Sequence, residues 1–165
     1  MAREISMSIK DIGKLLLCVA TSLGAGAIGS IFTRQAIPTW YVTLEKPAFN
    51  PPNWVFAPVW TLLYILMGVA AFLVWRKGLD NRQVRIALIA FLVQLILNAS
   101  WSVAFFGLES PSYGLFVIAV LGIAILLTVL AFFRISRAAS VLMWPYLLWV
   151  AFATVLNVSI WMLNR

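Results

Sequence analysis

Histidine is absent from the chain, and its 165 residues include only five acidic side chains against twelve basic ones. Without histidine, a Ser-His-Asp hydrolase is excluded, and the usual ligand of haem and zinc is missing. No Asp or Glu lies within the long apolar runs of the sequence, where carboxylates usually act as the proton relays of pumps and coupled transporters. We therefore expect no metal site, no required cofactor and no proton-coupled pump.

Cysteine occurs once, at Cys18, so an internal disulfide is excluded. This residue lies in the first apolar run, which follows the basic residues Arg3, Lys10 and Lys14. A cleaved signal peptide is the alternative interpretation of this segment, but the run is longer than the roughly 7 to 15 apolar residues of such peptides. We interpret it as a retained first helix.

Polar residues are too scarce for a water-facing shell, because 64% of the chain is hydrophobic and the mean hydropathy is +1.01. Such a composition is typical of a protein embedded in a bilayer. A spanning helix needs roughly 20 apolar residues, and five segments meet this requirement: residues 14–36, 53–75, 83–106, 112–133 and 141–163. The sequence predicts an all-α polytopic membrane protein, with residues 1–165 forming one domain of five transmembrane helices in a single bundle.

The net charge of +7 does not point to nucleic acid, because the basic residues are dispersed over the helix ends. Nine of them lie on the side that holds the N-terminus and the connections after the second and fourth helices: Arg3, Lys10, Lys14, Arg76, Lys77, Arg82, Arg85, Arg134 and Arg137. The other side has three, Arg34, Lys46 and Arg165. For a bacterial-type cell membrane, the positive-inside rule then predicts a cytoplasmic N-terminus and a loop of residues 37–52 that faces away from the cytoplasm.

The segment GAGAIG, residues 24–29, matches the G-x-G-x-x-G pattern of dinucleotide-binding proteins. That pattern binds a dinucleotide only between a strand and a helix, whereas these glycines lie within an apolar span. Close helix packing is the better interpretation, because small residues recur four positions apart. The pairs are Ala20 and Gly24, Ala25 and Gly29, and Gly26 and Ser30.

Eight tryptophans are present, and an aromatic belt at the two membrane interfaces accounts for those near predicted helix ends. These are Trp40, Trp54, Trp75, Trp144 and Trp161. Trp60, Trp101 and Trp149 fit a belt less well. Trp60 lies about seven residues into the second helix, which is roughly 10 Å deep at about 1.5 Å per residue.

Polar and aromatic residues share one face of each of three predicted helices. At spacings of three or four residues, these faces hold Gln94, Asn98, Trp101 and Phe105; Trp60, Tyr64 and Met67; and Trp149, Ala153 and Asn157. An unpaired amide in hydrocarbon costs several kcal/mol, so the faces should point inward. Two interpretations stay open for the three amides. They form hydrogen bonds between helices, or they belong to a pocket for a flat apolar ligand, which the neighbouring rings and the small Ala153 favour.

The loop of residues 37–52 is predicted on the side where the second helix begins and the third and fifth helices end. It would therefore cover the inward faces as a lid. The predicted lid residues are Lys46, Pro47, Phe49, Pro51 and Pro52. The three prolines should stiffen this lid at little ordering cost, because proline fixes φ.

Three further predictions concern the second and fourth helices. Asn50 should cap the second helix, with Pro51 and Pro52 in its first turn, and Pro58 should bend that helix and widen the cavity. Thr128 is the one polar residue in the middle of the fourth helix. This helix is therefore predicted to be a wall that faces lipid or a partner.

Three blocks of the sequence resemble the TspO/MBR family, the tryptophan-rich sensory proteins that include the mitochondrial translocator protein, or peripheral benzodiazepine receptor. They are WYVTLEKPAFNPPNWVFAPVWTLLYILMG (40–68), QLILNASWSVAFFG (94–107) and LMWPYLLWVAFATVLNVSIW (142–161). The resemblance implies a five-helix membrane protein, commonly a homodimer. It also implies binding of porphyrins such as protoporphyrin IX or haem and, in some members, of sterols and synthetic isoquinoline or benzodiazepine ligands.

By position, the resemblance implies a family pocket formed by Tyr41, Trp60, Asn98, Trp101, Trp149 and Ala153. Spacing adds Tyr64, Gln94 and Asn157 as candidate ligand-binding residues. The resemblance also implicates Trp60 and Trp149 in a light- and oxygen-dependent breakdown of protoporphyrin attributed to some bacterial members. These two tryptophans are thus the candidate catalytic residues.

One departure from the family pattern concerns sterols. The sterol-recognition segment needs a tyrosine followed by a basic residue near the end of the fifth helix, where this chain has Val158 and Met162. Cholesterol is therefore not an expected ligand, and a bacterial cell membrane is favoured.

We expect a porphyrin-binding receptor or transporter-like protein with a role in tetrapyrrole regulation or stress signalling. The alternatives are a protoporphyrin-degrading enzyme and a structural or regulatory partner whose amides only join helices.

Overall fold

The structure, a computed structural model, describes residues 8–165 and contains, over that range, helices and their connections without any strand. Five long helices are present: α1 (Ile9–Ala36), α2 (Asn53–Trp75), α3 (Arg82–Ser102), α4 (Pro111–Phe133) and α5 (Arg137–Leu163). Each is long and apolar enough to cross a membrane, with α3 extended by a π-helical turn, Val103–Gly107. The predicted all-α fold of five spanning helices is confirmed. Arg3, one of the nine basic residues in the charge argument, lies outside the described residues.

Two helices begin four or five residues earlier than predicted, α1 at residue 9 instead of 14 and α5 at residue 137 instead of 141, whereas the other three begin within one residue of the prediction. The backbone N–H of Asp11 donates to Ser8 Oγ at 3.2 Å, and the Ser8 N–H donates to the Asp11 carboxylate at 3.3 Å. This reciprocal pair is a capping box, and Ser136 likewise caps α5 by accepting a backbone hydrogen bond. Because both first turns contain charged residues, the apolar runs mark only the membrane part of each helix.

The five helices form a closed ring in which α1 packs on α2, α2 on α5, α5 on α4, α4 on α3 and α3 on α1. α4 buries one face against its two neighbours and exposes large apolar side chains, among them Phe116, Ile123 and Leu127, on the other. Thr128 is fully buried and donates to the Ala124 carbonyl of its own helix at 2.8 Å. The outer face of α4 is therefore suited to contact with lipid.

Glycines set the closest approaches of α1. A Cβ added at Gly68 would lie 2.6 Å from the Cα of Val19, so α1 and α2 touch there almost backbone to backbone. On the other side of this crossing, a Cβ at Gly26 would lie 2.3 Å from the Tyr64 ring. Gly29 lies against Ser102, whose Oγ would be 2.8 Å from an added Cβ. The packing interpretation of GAGAIG is confirmed at residues 26 and 29, whereas residue 24 has no such neighbour within 4 Å.

The predicted cap of α2 is wrong. Pro52 is the N-cap residue and makes no side-chain capping bond, so Pro51 and Pro52 precede the first turn. Asn50 instead accepts a hydrogen bond from the Tyr41 hydroxyl at 3.0 Å and donates to the Pro51 carbonyl at 3.1 Å. The asparagine is therefore used to fix the loop rather than the helix. Pro58 lies inside α2, and the bend assigned to it stays a prediction.

Candidate functional site

A cavity of about 440 Å³ lies between the helices in the half of the bundle nearer to the loop of residues 37–52. We call this half the loop-side half. The cavity wall is formed by α1, the loop, α2, α3 with its π-helical turn, and α5, whereas α4 contributes none of the lining residues. The volume falls within the range of about 300–1,000 Å³ that is typical of small-molecule sites.

Eight of the nine predicted ligand-binding residues line this cavity: Tyr41, Trp60, Tyr64, Asn98, Trp101, Trp149, Ala153 and Asn157. Gln94, the ninth, does not line it. Its side chain is fully buried behind the wall, where it accepts a hydrogen bond from the Tyr146 hydroxyl at 2.9 Å. The three amphipathic faces thus converge on the cavity. Gln94, the deepest amide of the α3 face, instead forms its hydrogen bond in the protein interior.

The amides of α3 belong to a chain of buried hydrogen bonds that joins α2, α3 and α5. Tyr64 donates its hydroxyl hydrogen to Asn98 Oδ1. Asn98 Nδ2 donates to the Tyr146 hydroxyl at 3.1 Å, and Tyr146 donates in turn to Gln94. The Gln94 amide nitrogen ends the chain 4.0 Å from the sulfur of Met67. Asn98 and Tyr64 both reach the cavity wall, so this chain forms its floor and holds the two side chains in place.

A second pair of hydrogen bonds fixes another part of the wall. Trp101 Nε1 donates to Asn157 Oδ1 at 3.3 Å, and Asn157 Nδ2 donates to the Pro111 carbonyl at 2.8 Å. The Trp101 ring stacks on Phe105, with ring centroids 5.4 Å apart. Both interpretations of the amides therefore apply to Asn98 and Asn157, because these residues join helices and also line the cavity.

The π-helical turn at the end of α3 shapes the wall near the loop. Leu108 N–H donates to the Val103 carbonyl at 2.8 Å, which is the wide i→i+5 spacing of a π turn. This turn places Phe105 and Phe106 side by side in the wall, with ring centroids 4.8 Å apart. The loop residue Tyr41 packs against both rings.

The indole of Trp149 presents an unused donor. Among the side chains of residues 8–165, its Nε1 is the one buried nitrogen or oxygen without a hydrogen-bond partner. Trp149 lines the cavity and packs edge-on against Phe56, with centroids 6.1 Å apart. A buried donor that contacts only hydrocarbon lowers the stability of the fold by about 1–3 kcal/mol. Because the nitrogen itself is covered by protein atoms, a ligand in the cavity meets the indole ring and not its N–H group.

The loop closes one end of the cavity through Tyr41 and Ile37. Burial raises the pKa of the Tyr41 hydroxyl above its ordinary value, with the hydrogen bond from Tyr41 to Asn50 acting in the opposite direction. The phenol is thus neutral. Lys46 Nζ lies 4.7 Å from the centroid of the Tyr41 ring and donates to the Leu44 carbonyl at 2.9 Å.

The five predicted lid residues do not line the cavity. Lys46 supports Tyr41 from behind, and the Phe49 ring packs on Phe152 of α5 with centroids 6.3 Å apart. Two hydrogen bonds fasten the loop to the end of α5: Glu45 N–H donates to Asn164 Oδ1 at 3.0 Å, and Asn164 Nδ2 donates to the Glu45 carbonyl at 2.9 Å. The prolines therefore stiffen an outer layer, and the lid that touches the cavity is Tyr41.

The mouth of the cavity lies between α1 and α2. The lining residues that are exposed all belong to these two helices: Leu23, Ala27 and Arg34 on α1, and Asn53, Ala57 and Thr61 on α2. No residue of α1 was a predicted site residue, because its small side chains indicated packing alone. Phe56, Phe106 and Tyr146 were also missed. For Tyr146, its position three residues before Trp149 on the same helical face was an available signal.

Among the residues that the structure describes, Arg34 is the one charged residue in the wall, and neither Asp nor Glu lines the cavity. No group of three or more His, Cys, Asp or Glu side chains is arranged for a metal ion within residues 8–165. The arrangement offers flat aromatic surfaces, amide and hydroxyl groups, and one cation. It is suited to binding a flat, largely apolar molecule.

Comparison with known proteins identifies relatives over almost the whole chain. Residues 17–162 match the model of the TspO/MBR family. The chain is 47% identical over 155 residues to Tryptophan-rich protein TspO of Chlorobaculum tepidum, covering 94% of this chain and 98% of that protein. It is 37% identical over 149 residues to the human Translocator protein, covering 89% and 87%. It is also 39% identical over 125 residues to Tryptophan-rich sensory protein of Cereibacter sphaeroides, covering 76% and 77%.

Proposed function

This chain belongs to the TspO/MBR family of integral membrane proteins, and from that premise we propose that it binds porphyrins, protoporphyrin IX in particular, in the loop-side cavity. It then acts as a receptor or transporter-like protein in tetrapyrrole regulation or stress signalling. The observation that carries the proposal is the cavity itself, whose wall combines Trp60, Trp101 and Trp149. A tetrapyrrole offers a large flat face for these rings.

A titration of the detergent-solubilised protein with protoporphyrin IX, followed through the porphyrin absorption band, tests the proposal. Wild-type protein should saturate at micromolar porphyrin with one site per chain. Trp149→Phe keeps an aromatic ring but reduces the flat surface that the indole offers to the ligand, and should bind about fivefold more weakly.

Trp144→Phe is the matched control, because Trp144 is an exposed residue of the same helix and does not line the cavity. It should titrate as the wild type does. Absence of saturable binding by the wild-type protein would refute porphyrin as the ligand, and equal affinities in all three proteins would refute the role of the indole.

A second candidate function is light-dependent oxidative degradation of protoporphyrin, with dioxygen as the oxidant. It is favoured by the Trp60 ring, which stacks on Tyr64 with centroids 5.6 Å apart and an interplanar angle of 29°. Such a stack can delocalise a radical formed on the indole. Illumination of the complex should then bleach porphyrin faster in the wild type than in the Trp60→Phe, Trp149→Phe double variant. Equal rates, measured per bound porphyrin, would reduce the process to sensitised bleaching.

The proposal includes a bacterial cell membrane, a cytoplasmic N-terminus and a homodimer. Within the described residues, the loop side carries three basic residues against eight on the other side, which supports this orientation. A cysteine introduced at Ala48 in the loop should react with a membrane-impermeant maleimide in intact cells. Labelling only after the cells are opened would reverse the orientation. Light scattering of the detergent complex should give twice the chain mass, and a single chain mass would refute the dimer.

A further inference from the structure

Over the described part of the chain, Arg34 is the single charged residue in the cavity wall, and we propose that at the mouth of the cavity it selects ligands that carry a carboxylate group. The inference rests on the proposed function, because it names the chemical class of ligand that the same cavity prefers. An acidic porphyrin would then be bound with its carboxylate edge at Arg34 and its macrocycle among the aromatic rings.

The polarity of the cavity changes from one end to the other. Arg34 lies in the last turn of α1, and Thr33 and Ser30 beside it also line the cavity. Gly26 lies about two turns deeper, roughly 12 Å along the helix at 1.5 Å per residue, and there the wall is the Tyr64 ring. A ligand that matches this wall has one anionic edge and an apolar, aromatic body.

The other basic residues on the loop side are already used within the protein. Lys46 donates to the Leu44 carbonyl and lies over the Tyr41 ring, and Arg165 lies 4.8 Å from the centroid of the Trp161 ring. Neither of them lines the cavity, and neither do the loop-side carboxylates Glu45 and Glu109. Arg34 therefore faces the cavity without a protein carboxylate in its wall to compete for it.

The guanidinium group suits this role. Its planar donors bind a carboxylate through two parallel hydrogen bonds. At the partly exposed mouth, an ion pair between Arg34 and a ligand carboxylate contributes less binding free energy than a fully buried pair would. We therefore expect a moderate gain in affinity instead of an absolute requirement. The residue sets preference among ligands, whereas the aromatic wall provides most of the contact area.

Protoporphyrin IX and its dimethyl ester test the inference, because the ester keeps the macrocycle and loses both negative charges. The wild-type protein in detergent should bind the free acid about tenfold more tightly than the ester, which corresponds to about 1.4 kcal/mol. Arg34→Gln should weaken binding of the acid by the same factor and leave the ester unchanged. Arg34→Lys should recover part of the preference, because it restores the charge without the planar fork.

Arg165→Gln is the matched control, since it removes one positive charge from the same side of the membrane at a residue that does not line the cavity. It should leave both affinities unchanged. If wild-type protein binds acid and ester equally, or if Arg34→Gln weakens both ligands equally, the inference is refuted while the porphyrin site stands. If Arg165→Gln reduces the preference as much as Arg34→Gln does, the effect is one of general surface charge, and the inference is again refuted. If neither ligand binds the wild type, the proposed function fails, and this inference with it.

Discussion

The two halves of the bundle are made of the same helices, but they differ in how their interiors are filled. In the half away from the loop, most of the fully buried side chains are apolar, such as Val74, Val84, Phe132 and Met143. The groove there, about 260 Å³ and bordered by the exposed Leu17 and Leu92, opens at the surface of α1, α2 and α3. In the loop-side half, large rings surround a cavity of about 440 Å³.

Hydrogen bonds explain why the loop-side half stays open. Asn98 holds Tyr64, and Asn157 holds Trp101, so neither ring can rotate into the empty space without leaving a polar group unpaired in a low-dielectric interior. Aliphatic side chains have no such constraint and pack to the density of a crystal. Polar groups in this bundle thus preserve a space, whereas apolar groups fill one.

The largest expected effect is at the α1–α2 crossing that separates the two halves. Gly68→Ala places a methyl group 2.6 Å from the Val19 backbone, so the helices must move apart. We expect a loss of about 3 kcal/mol in unfolding free energy, at the upper end of overpacking costs, measured by thermal or denaturant unfolding in detergent. Gly122→Ala on α4 is the control, because an added Cβ there meets nothing within 4 Å. A similar loss in both variants would mean that the crossing is not the tight contact described.

The next effect tests the floor of the cavity. Asn98→Leu removes a donor and an acceptor and leaves the hydroxyls of Tyr64 and Tyr146 without that partner. We expect a loss of about 2 kcal/mol in unfolding free energy together with weaker porphyrin binding, measured by unfolding and by titration of the same preparation. Thr128→Val is the control, because Thr128 bonds only to a carbonyl of its own helix. Reduced stability with unchanged binding would favour the structural interpretation of the amides.

The smallest effect concerns the fastening of the loop. Asn164→Ala breaks both hydrogen bonds to Glu45, and these exposed bonds contribute about 1 kcal/mol or less. The loop should then open more often, so the rate of porphyrin dissociation should rise roughly threefold in a stopped-flow displacement assay. Unchanged dissociation would mean that ligands leave by the mouth between α1 and α2 without any movement of the loop.

Much of the fold could be predicted, because the property that defines a spanning helix is carried by the sequence itself. The five apolar runs predicted the five helices, and a helix start was missed by more than one residue only where polar first turns continue α1 and α5 outside the apolar run. The π-helical turn Val103–Gly107 was not foreseen. Its five residues have the same apolar character as the helix before them, so nothing in the local pattern marks the wider hydrogen bonds.

The site was predictable where its residues have distinctive chemistry. Asn98, Trp101 and Trp149 are conspicuous among the apolar residues of their helices. Helical spacing assigned each of them to one face of its helix. Spacing gives the face of a residue but not its depth or the direction of its side chain. Gln94 therefore shared a stripe with Asn98 although it reaches Tyr146 instead of the cavity. The α1 wall was missed for a different reason, since small residues such as Gly26 and Ser30 indicate close packing equally well.

The central claim is that the loop-side cavity is the ligand site, and filling it tests this most directly. Ala153→Trp places a large ring inside the cavity, whereas Ala151→Trp, two residues away, places the same ring on the exposed face of α5. Both variants are compared with wild-type protein by protoporphyrin IX titration, after unfolding curves establish that they are folded. We predict that Ala153→Trp loses detectable binding and that Ala151→Trp binds as the wild type does. A folded Ala153→Trp protein with wild-type affinity would contradict the account.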